Sequence, residues 1–296
     1  MKKFVIVSDS CCDLSKGLRD EYGIEYIPMH FTIEGKEYLA DLDWKEISVK
    51  NFYDTMRKST RIFTAQVNTE QYREAFEKYI QEGFDILYIS CSSALSASIK
   101  ASYVIRDELK EKYPESKIIC LDGLNSSCGL GILCLRASEL RAEGKTIEEA
   151  AQIVGELRAF VNQDITPEKL SYLKQAGRVS AASAFFGGLL NIKPIIISDA
   201  KGQNVAIEKV KGRQVSMERI VELFAENYQD VPYQKIMICH GDCIEDAKKL
   251  KDMLLKKLNM GTKVYIENIG SIVGASVGPG TVAVQFFGKE VTLNKE

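Results

Sequence analysis

The chain begins with Phe4-Val5-Ile6-Val7-Ser8-Asp9-Ser10, a short apolar run that ends in polar residues. Further β-rich runs follow in the first half at residues 24–33, 86–90 and 117–121. Between the runs, apolar side chains recur at helical spacing in residues 49–58, 71–81, 98–112 and 131–141. Because parallel strands need a crossover that a helix supplies, this alternation predicts an α/β domain with a largely parallel sheet flanked by helices.

The second half predicts another α/β domain. Thr146 followed by Glu149 is typical of a helix start that satisfies two backbone amides, and that helix is expected to reach about Val161. Residues 162–167 are polar and end in a proline suited to the first turn of a new helix, so we expect the domain boundary there. The predicted domains are residues 1–163 and 164–296. On length alone, one large α/β domain is the alternative.

The predicted C-terminal domain has a mixed sheet with helices. Turn residues between the β runs at 194–198 and 205–210 indicate a hairpin. The other predicted helices are residues 167–175, 217–227 and 246–258, and the other predicted strands are residues 235–239, 263–269 and 282–287.

Composition excludes several classes of protein. The formal net charge is -2 and the pI about 5.9, with basic and acidic residues interspersed, so a nucleic-acid-binding face is not expected. The first apolar run is too short for a signal peptide, and no segment is as long as a membrane helix, which predicts a cytoplasmic protein without integral membrane association.

The chain has eight cysteines but only two histidines, His30 and His240. Most of the cysteines lie in apolar or strand-like settings, and no Cys-x-x-Cys occurs. We therefore expect reduced thiols, no metal site and no cofactor held by this chain.

Polar residues follow three of the predicted strands, at residues 9–13, 91–98 and 122–127. Loops at the carboxyl ends of parallel strands converge, so these segments are expected to form a ligand site. The serine-rich residues 91–98 combine hydroxyl groups with the amides of a helix start, which favours an anion. Alternatively, Ser96 caps that helix. The residues leave both interpretations open.

Catalysis by one of these serines is the competing hypothesis. The segment lacks the Gly-x-Ser-x-Gly elbow, and His240 ends an apolar strand in a setting more typical of a structural histidine. An acyl-ester serine hydrolase is thus the second hypothesis. The pairs Gly129-Leu130-Gly131 and Gly278-Pro279-Gly280 do not extend to a dinucleotide or Walker motif, so tight turns are the expected use.

The apolar segment at residues 181–194 follows Arg178 closely. Its large side chains either belong to the core or line a tunnel beside an acid head group. The tunnel candidates are Phe185, Phe186, Leu189, Leu190 and Ile192.

Several separated motifs together resemble the DegV family of bacterial lipid-binding proteins, almost from end to end. The motifs, in order, are Val5-Ile6-Val7-Ser8-Asp9-Ser10, Thr64-Ala65-Gln66, Ser92-Ser93-Ala94-Leu95-Ser96-Ala97-Ser98, Gly177-Arg178-Val179-Ser180, Leu190-Asn191-Ile192-Lys193-Pro194-Ile195, Lys209-Val210-Lys211-Gly212-Arg213 and Gly278-Pro279-Gly280.

The resemblance implies two α/β domains with one long-chain fatty acid in a tunnel between them. Members that resemble this chain are the acyl-binding subunit of a fatty acid kinase, whose partner supplies ATP and Mg²⁺ and phosphorylates the carboxylate for phospholipid synthesis. By the same resemblance, Thr64 and Ser96 hold the carboxylate and Arg178 lies near it. A lipid carrier without a kinase partner is the other expectation.

Two positions depart from the family pattern. Ala65 and Val67 stand where many members have serine and proline. Ser276 stands where kinase-linked members often have histidine; it can still donate a hydrogen bond to the carboxylate but cannot carry a positive charge.

Arg213 is the candidate residue at the partner interface, within a basic patch that includes Lys209 and Lys211. The alternative is a solvated turn and helix start. On the first interpretation, Arg213→Glu is expected to leave lipid binding intact and to impair phosphorylation.

Overall fold

The structure is a computed structural model that describes residues 3–180, 191–258 and 263–295. Its strands are β1 (Phe4–Asp9), β2 (Ile24–Ile27), β3 (His30–Ile33), β4 (Lys36–Leu39), β5 (Ile62–Ala65), β6 (Asp85–Ser90), β7 (Ile118–Asp122), β8 (Val161–Thr166), β9 (Ile192–Ser198), β10 (Asn204–Lys211), β11 (Ile236–His240), β12 (Val264–Asn268) and β13 (Val282–Phe287). Its helices are α1 (Lys16–Tyr22), α2 (Val49–Arg57), α3 (Thr69–Gln81), α4 (Ser98–Lys112), α5 (Ser127–Ala142), α6 (Ile147–Leu157), α7 (Ser171–Ala176), α8 (Arg213–Asn227), α9 (Ile244–Leu258) and α10 (Ser271–Val277).

The first half forms the predicted parallel sheet, with strand order β2-β1-β6-β7. Strands β1 and β6 are buried along their whole length, as expected for strands covered by helices on both faces. The α/β class predicted for this half is confirmed. No described helix has the length and apolar character needed to cross a membrane.

The single strand predicted at residues 24–33 was wrong. The structure divides it into β2, which joins the parallel sheet, and β3, which is the middle strand of a small antiparallel sheet of order β4-β3-β5. Pro28 lies between the two strands. Its ring removes a backbone donor and restricts the preceding residue, so continuous pairing ends there. The small sheet brings β5, and Thr64 within it, beside the parallel sheet.

The second half forms a mixed sheet of order β10-β9-β8-β13-β11-β12. The predicted hairpin is confirmed as the antiparallel pair β9 and β10, with a register shift between Ala206 and Glu208. The predicted helix start at Thr146 is also confirmed, since Thr146 and Glu149 form a reciprocal capping box at α6. That helix ends at Leu157, before the expected Val161, and α7 begins at Ser171, later than the expected Pro167.

The polar segment in which we expected the domain boundary contains an interior strand. Its residues fall largely in β8, which is buried throughout and pairs with β9 and β13. Two of its polar side chains have partners within the protein: Asn162 Nδ2 donates to the carbonyl of Lys289 over 2.8 Å, and Gln163 Nε2 donates to Ser198 Oγ over 3.1 Å. The predicted boundary between residues 163 and 164 therefore falls inside β8, and the second sheet begins at Val161.

Helix α5 joins the two halves. It contacts β1, β2 and β6 of the parallel sheet and β8, β11 and β13 of the mixed sheet. An added Cβ at Gly131 would lie 2.7 Å from Leu14 Cδ2 and 2.8 Å from the carbonyl oxygen of Cys12, so only glycine permits this approach. One hydrophobic core contains Ile6 of the first sheet together with Ile165 of the second. The two sheets therefore pack as one unit around α5.

Asp164 on β8 carries a testable consequence for stability. Burial raises the pKa of its carboxyl to about 8, although Arg219 on α8 lowers it, and its Oδ2 has no hydrogen-bond partner among the described residues. The folded protein therefore holds a proton that the unfolded chain loses above its ordinary pKa of 3.8. Because the folded state binds this proton more strongly than the unfolded chain does, the contribution of this carboxyl to the free energy of unfolding should fall progressively as the pH rises from about 4 to about 8.

We expect Asp164→Asn to gain stability relative to the natural protein across that pH range, because asparagine has no proton to lose. Urea unfolding at a series of pH values measures the difference. The exposed Asp252→Asn serves as the control and should follow the natural protein at every pH. An Asp164→Asn variant whose free energy of unfolding tracks the natural protein throughout would contradict the assignment.

Candidate functional site

The three polar segments predicted to converge do so at an internal cavity of about 310 Å³, here called the inner cavity. Cys11 follows β1, Cys91 follows β6 and Ser126 follows β7, and all three line it. The carboxyl ends of the parallel strands thus form one wall. This is the position at which open α/β sheets usually bind ligands.

The mixed sheet and α10 supply the opposite wall. Ile165 of β8 and Ala283 of β13 line the cavity from the sheet, and Ile272, Val273 and Val277 line it from α10. The cavity therefore lies between the two halves of the protein. Its volume is at the lower end of the range for small-molecule sites.

Thr64, Ser96, Arg178 and Ser276, the four residues predicted at the carboxylate, all line the inner cavity. Three of them, Thr64, Arg178 and Ser276, also line a neighbouring cavity of about 220 Å³, here called the outer pocket. Thr64 and Arg178 are exposed, whereas Ser96 and Ser276 are half-buried. These four side chains therefore form a polar mouth that leads from the inner cavity toward solvent.

Ser96 lies one residue before Ala97, the N-cap residue of α4, which has no side-chain capping bond. Its Oγ accepts a hydrogen bond from the Ser98 amide over 3.2 Å, at the first residue of α4, and lies 3.0 Å from Ser98 Oγ. The same side chain lines the cavity. Supporting the start of the helix and facing a ligand are thus compatible.

Arg178 connects the two halves at the mouth. It follows α7, and its Nε donates to the carbonyl of Leu95, in the serine-rich loop, over 3.2 Å. The guanidinium also donates to the carbonyl of Ala176. These contacts hold a positive charge beside Ser96, where an anionic head group would be favoured.

Two buried carboxyl groups support the loops beneath the cavity. Asp9 accepts the amides of Cys11 and Cys91, both over 2.9 Å, and so ties the loops after β1 and β6 together. Asp13 accepts from Ser127 Oγ over 2.6 Å. Burial raises the pKa of Asp9 and raises that of Asp13 well above its ordinary value.

Most of the predicted tunnel residues cannot be placed in this wall. Phe185, Phe186, Leu189 and Leu190 lie outside the described residues. Ile192 is the first residue of β9 and pairs with Lys211. It is not among the described residues that line the inner cavity.

Each of the two histidines contacts another polar group through Nδ1. Nδ1 of His240 accepts the Cys243 amide over 3.2 Å, and burial lowers the pKa of His240. Nδ1 of His30 lies 2.6 Å from Oε1 of Glu37. Neither histidine is among the described lining residues, so the hydrolase hypothesis finds no histidine base for a serine there.

The sequence reasoning missed the polar residues of the second wall. Asn204, Gln163, Gln285 and Cys239 line the inner cavity, and each is at most 5 % exposed. The available signal was the composition of residues 162–164, Asn-Gln-Asp, which was interpreted as part of a domain boundary. All eight cysteines are free thiols, as predicted.

Arg213 makes internal contacts that its prediction as an interface residue did not include. Its guanidinium donates to Asp246 Oδ2 over 2.9 Å, to the Thr166 carbonyl over 3.1 Å and to the Gly280 carbonyl over 2.7 Å. Only 18 % of the side chain is exposed. It therefore ties α8 to α9, to the end of β8 and to the turn before β13.

Comparison with known proteins identifies relatives along the whole chain. The family model described as "Uncharacterised protein, DegV family" matches residues 3–289. A DegV domain-containing protein of Clostridium perfringens is 36 % identical over 288 residues, covering 97 % of this chain and 98 % of the relative. Another, from Clostridium acetobutylicum, is 28 % identical and covers 98 % of this chain and 100 % of the relative.

Solved structures share the fold. A DegV family protein of Thermus thermophilus, described by its fatty acid binding, superimposes with a TM-score of 0.87 at 24 % identity, covering 98 % of this chain and 100 % of that one. A DegV family protein of Eubacterium eligens loaded with heptadecanoic acid gives a TM-score of 0.84 at 22 % identity, with 97 % and 100 % coverage.

The contacts of Arg213 change what its substitution is expected to do. Arg213→Glu would place a carboxylate against Asp246 and leave two carbonyl oxygens without their donor, so we expect a loss of about 3 kcal/mol in the free energy of unfolding. The exposed neighbour Lys211→Glu is the matched control and should change it by about 0.5 kcal/mol or less. Chemical denaturation measures both. Equal stability of the two variants would contradict a structural role for Arg213.

Proposed function

The chain belongs to the DegV family, and on that premise we propose that it binds one long-chain fatty acid, with the acyl chain in the inner cavity and the carboxylate at the mouth. The observation that carries the proposal is the mouth itself, where Thr64, Ser96, Ser276 and Arg178 line one end of a cavity enclosed between two sheets. The relatives described as fatty acid binding support the same ligand class.

The chemistry of the mouth suits a carboxylate. A carboxylate that leaves water needs hydrogen-bond donors, and hydroxyl groups with one guanidinium provide them. Thr64 and Arg178 are exposed, so the head group would remain near solvent while the acyl chain is buried. Burial of about 15 methylenes at ~0.8 kcal/mol each contributes about 12 kcal/mol before the cost of ordering the chain.

We further propose that the bound acid is presented to a separate kinase, which holds ATP and Mg²⁺ and forms the acyl phosphate. The exposed mouth supports this, because a second protein could reach the carboxylate without removing the acyl chain from the cavity. On this proposal the chain performs no bond chemistry. Its part is to bind the acid, to shield the acyl chain from water and to orient the carboxylate, and it acts in the cytoplasm.

We expect the purified protein to carry one fatty acid and the double variant Thr64→Ala/Ser96→Ala to lose it, because two carboxylate donors are removed. Native mass spectrometry measures the mass difference, and organic extraction identifies the acid. Ser93→Ala is the matched control, since this serine lies in the same loop but is not among the described lining residues. Protein that is empty and also refuses added fatty acid would overturn the binding proposal.

The kinase proposal has its own test. Protein loaded with fatty acid should give acyl phosphate, trapped with hydroxylamine, when ATP, Mg²⁺ and a bacterial fatty acid kinase are all present. Omitting the kinase should abolish the product, and the empty Thr64→Ala/Ser96→Ala variant should give none. Fatty acid binding with no acyl phosphate in the complete mixture would leave a lipid carrier without a kinase role.

A further inference from the structure

A row of polar side chains crosses the wall that the mixed sheet presents to the inner cavity. It consists of Asn204, Gln163, Gln285 and Cys239, from β10, β8, β13 and β11, and is here called the polar stripe. Gln163 and Gln285 are direct partners across adjacent antiparallel strands, so their side chains share one face. Gln163 is 3 % exposed and Gln285 1 % exposed.

The polar stripe begins at the mouth, where Asn204 Nδ2 donates to the carbonyl of Arg178 over 3.1 Å, and it continues across the sheet through Gln163 and Gln285. Thr64, Arg178 and Ser276 line both the inner cavity and the outer pocket, whereas in the described part of the chain the polar stripe lines the inner cavity alone. A fatty acid whose carboxylate sits at the mouth would therefore meet these groups along its acyl chain. An alkyl chain offers them no hydrogen bond.

The amide nitrogens of Gln163 and Gln285 already donate hydrogen bonds, whereas their amide oxygens can accept further ones. Gln163 Nε2 donates to Ser198 Oγ over 3.1 Å and to Asn204 Oδ1 over 3.2 Å, which uses both of its hydrogens. Gln285 Nε2 lies 3.4 Å from Gln163 Oε1 and 3.3 Å from Cys239 Sγ.

Each glutamine amide oxygen has two lone pairs. Gln163 Oε1 receives the long contact from Gln285, and Gln285 Oε1 receives only the weak thiol donor of Cys239 at 3.5 Å. Among the contacts of the described residues, both oxygens thus retain room for a strong donor. A hydroxyl group would supply that donor, whereas a keto group would not.

We propose that the natural ligand is a long-chain fatty acid with a hydroxyl group on its acyl chain, which donates a hydrogen bond to the amide oxygens of Gln163 and Gln285. This inference rests on the proposed function, and it adds the class of fatty acid. A buried site built to pair a ligand hydroxyl discriminates against the analogue that lacks it, because the protein groups are then left without a partner. The stripe is therefore the specificity-determining element of the cavity.

The test uses delipidated protein and compares octadecanoic acid with a set of octadecanoic acids that carry one hydroxyl at successive mid-chain carbons. We expect at least one hydroxy acid to bind about tenfold or more tightly than octadecanoic acid. Gln163→Leu and Gln285→Leu should remove this preference and strengthen the binding of octadecanoic acid. Thr64→Ala is the control and should weaken both acids by the same factor, because it acts on the carboxylate.

The possible results distinguish the hydroxyl inference from the fatty acid binding on which it rests. Equal affinity of the natural protein for all the acids would overturn the hydroxyl inference and leave fatty acid binding in place, with the polar stripe as a structural network. Failure to bind any of the acids would overturn the proposed function as well. Circular dichroism checks that the variants are folded. If they are unfolded, the affinity of the natural protein for the hydroxy acids relative to octadecanoic acid tests the inference by itself.

Discussion

The structure depends on the burial of the first half of α5 on all sides. Its sequence from Ser127 to Leu135 has no charged residue, and the helix contacts strands of both sheets. A helix that is apolar all round cannot face water, so each sheet needs the other to cover it. The close approach at Gly131 fixes α5 against the loop after β1, and Ser127 Oγ binds Asp13 in the same loop. The site therefore sits where the packing is most constrained.

This arrangement explains why the cavity has two chemically different parts. The first wall is made of loops at strand ends, and the loop after β6 brings Ser96 to the mouth. The second wall is the face of a sheet, where side chains alternate in direction and a polar row persists only because its members bind one another. Arg178 joins the walls at the surface through the Leu95 carbonyl. On the proposals made above, binding and specificity belong to separate groups of residues.

The sequence was sufficient where local patterns determine the structure. The alternation of strands and helices, the hairpin of β9 and β10 and the capping box at Thr146 all depend on neighbouring residues, and each prediction was confirmed. The convergence of the three polar segments followed from the rule for parallel strands. Strand β8 was not predicted, because its polarity is compensated by distant partners such as Lys289, which no local pattern reveals. Gln285 lies far from Gln163 along the chain, so no local pattern indicated that it would line the site.

Strand order in the mixed sheet has a consequence for synthesis of the chain. β8 pairs with β9, which follows it closely, but its other neighbour is β13, the last of the described strands to be made. During translation one edge of β8 is open for as long as the residues up to β13 are still being added. Open edges of apolar strands recruit other chains. Asp164 places a charged side chain within β8, a feature that disfavours pairing of an open strand edge with other chains.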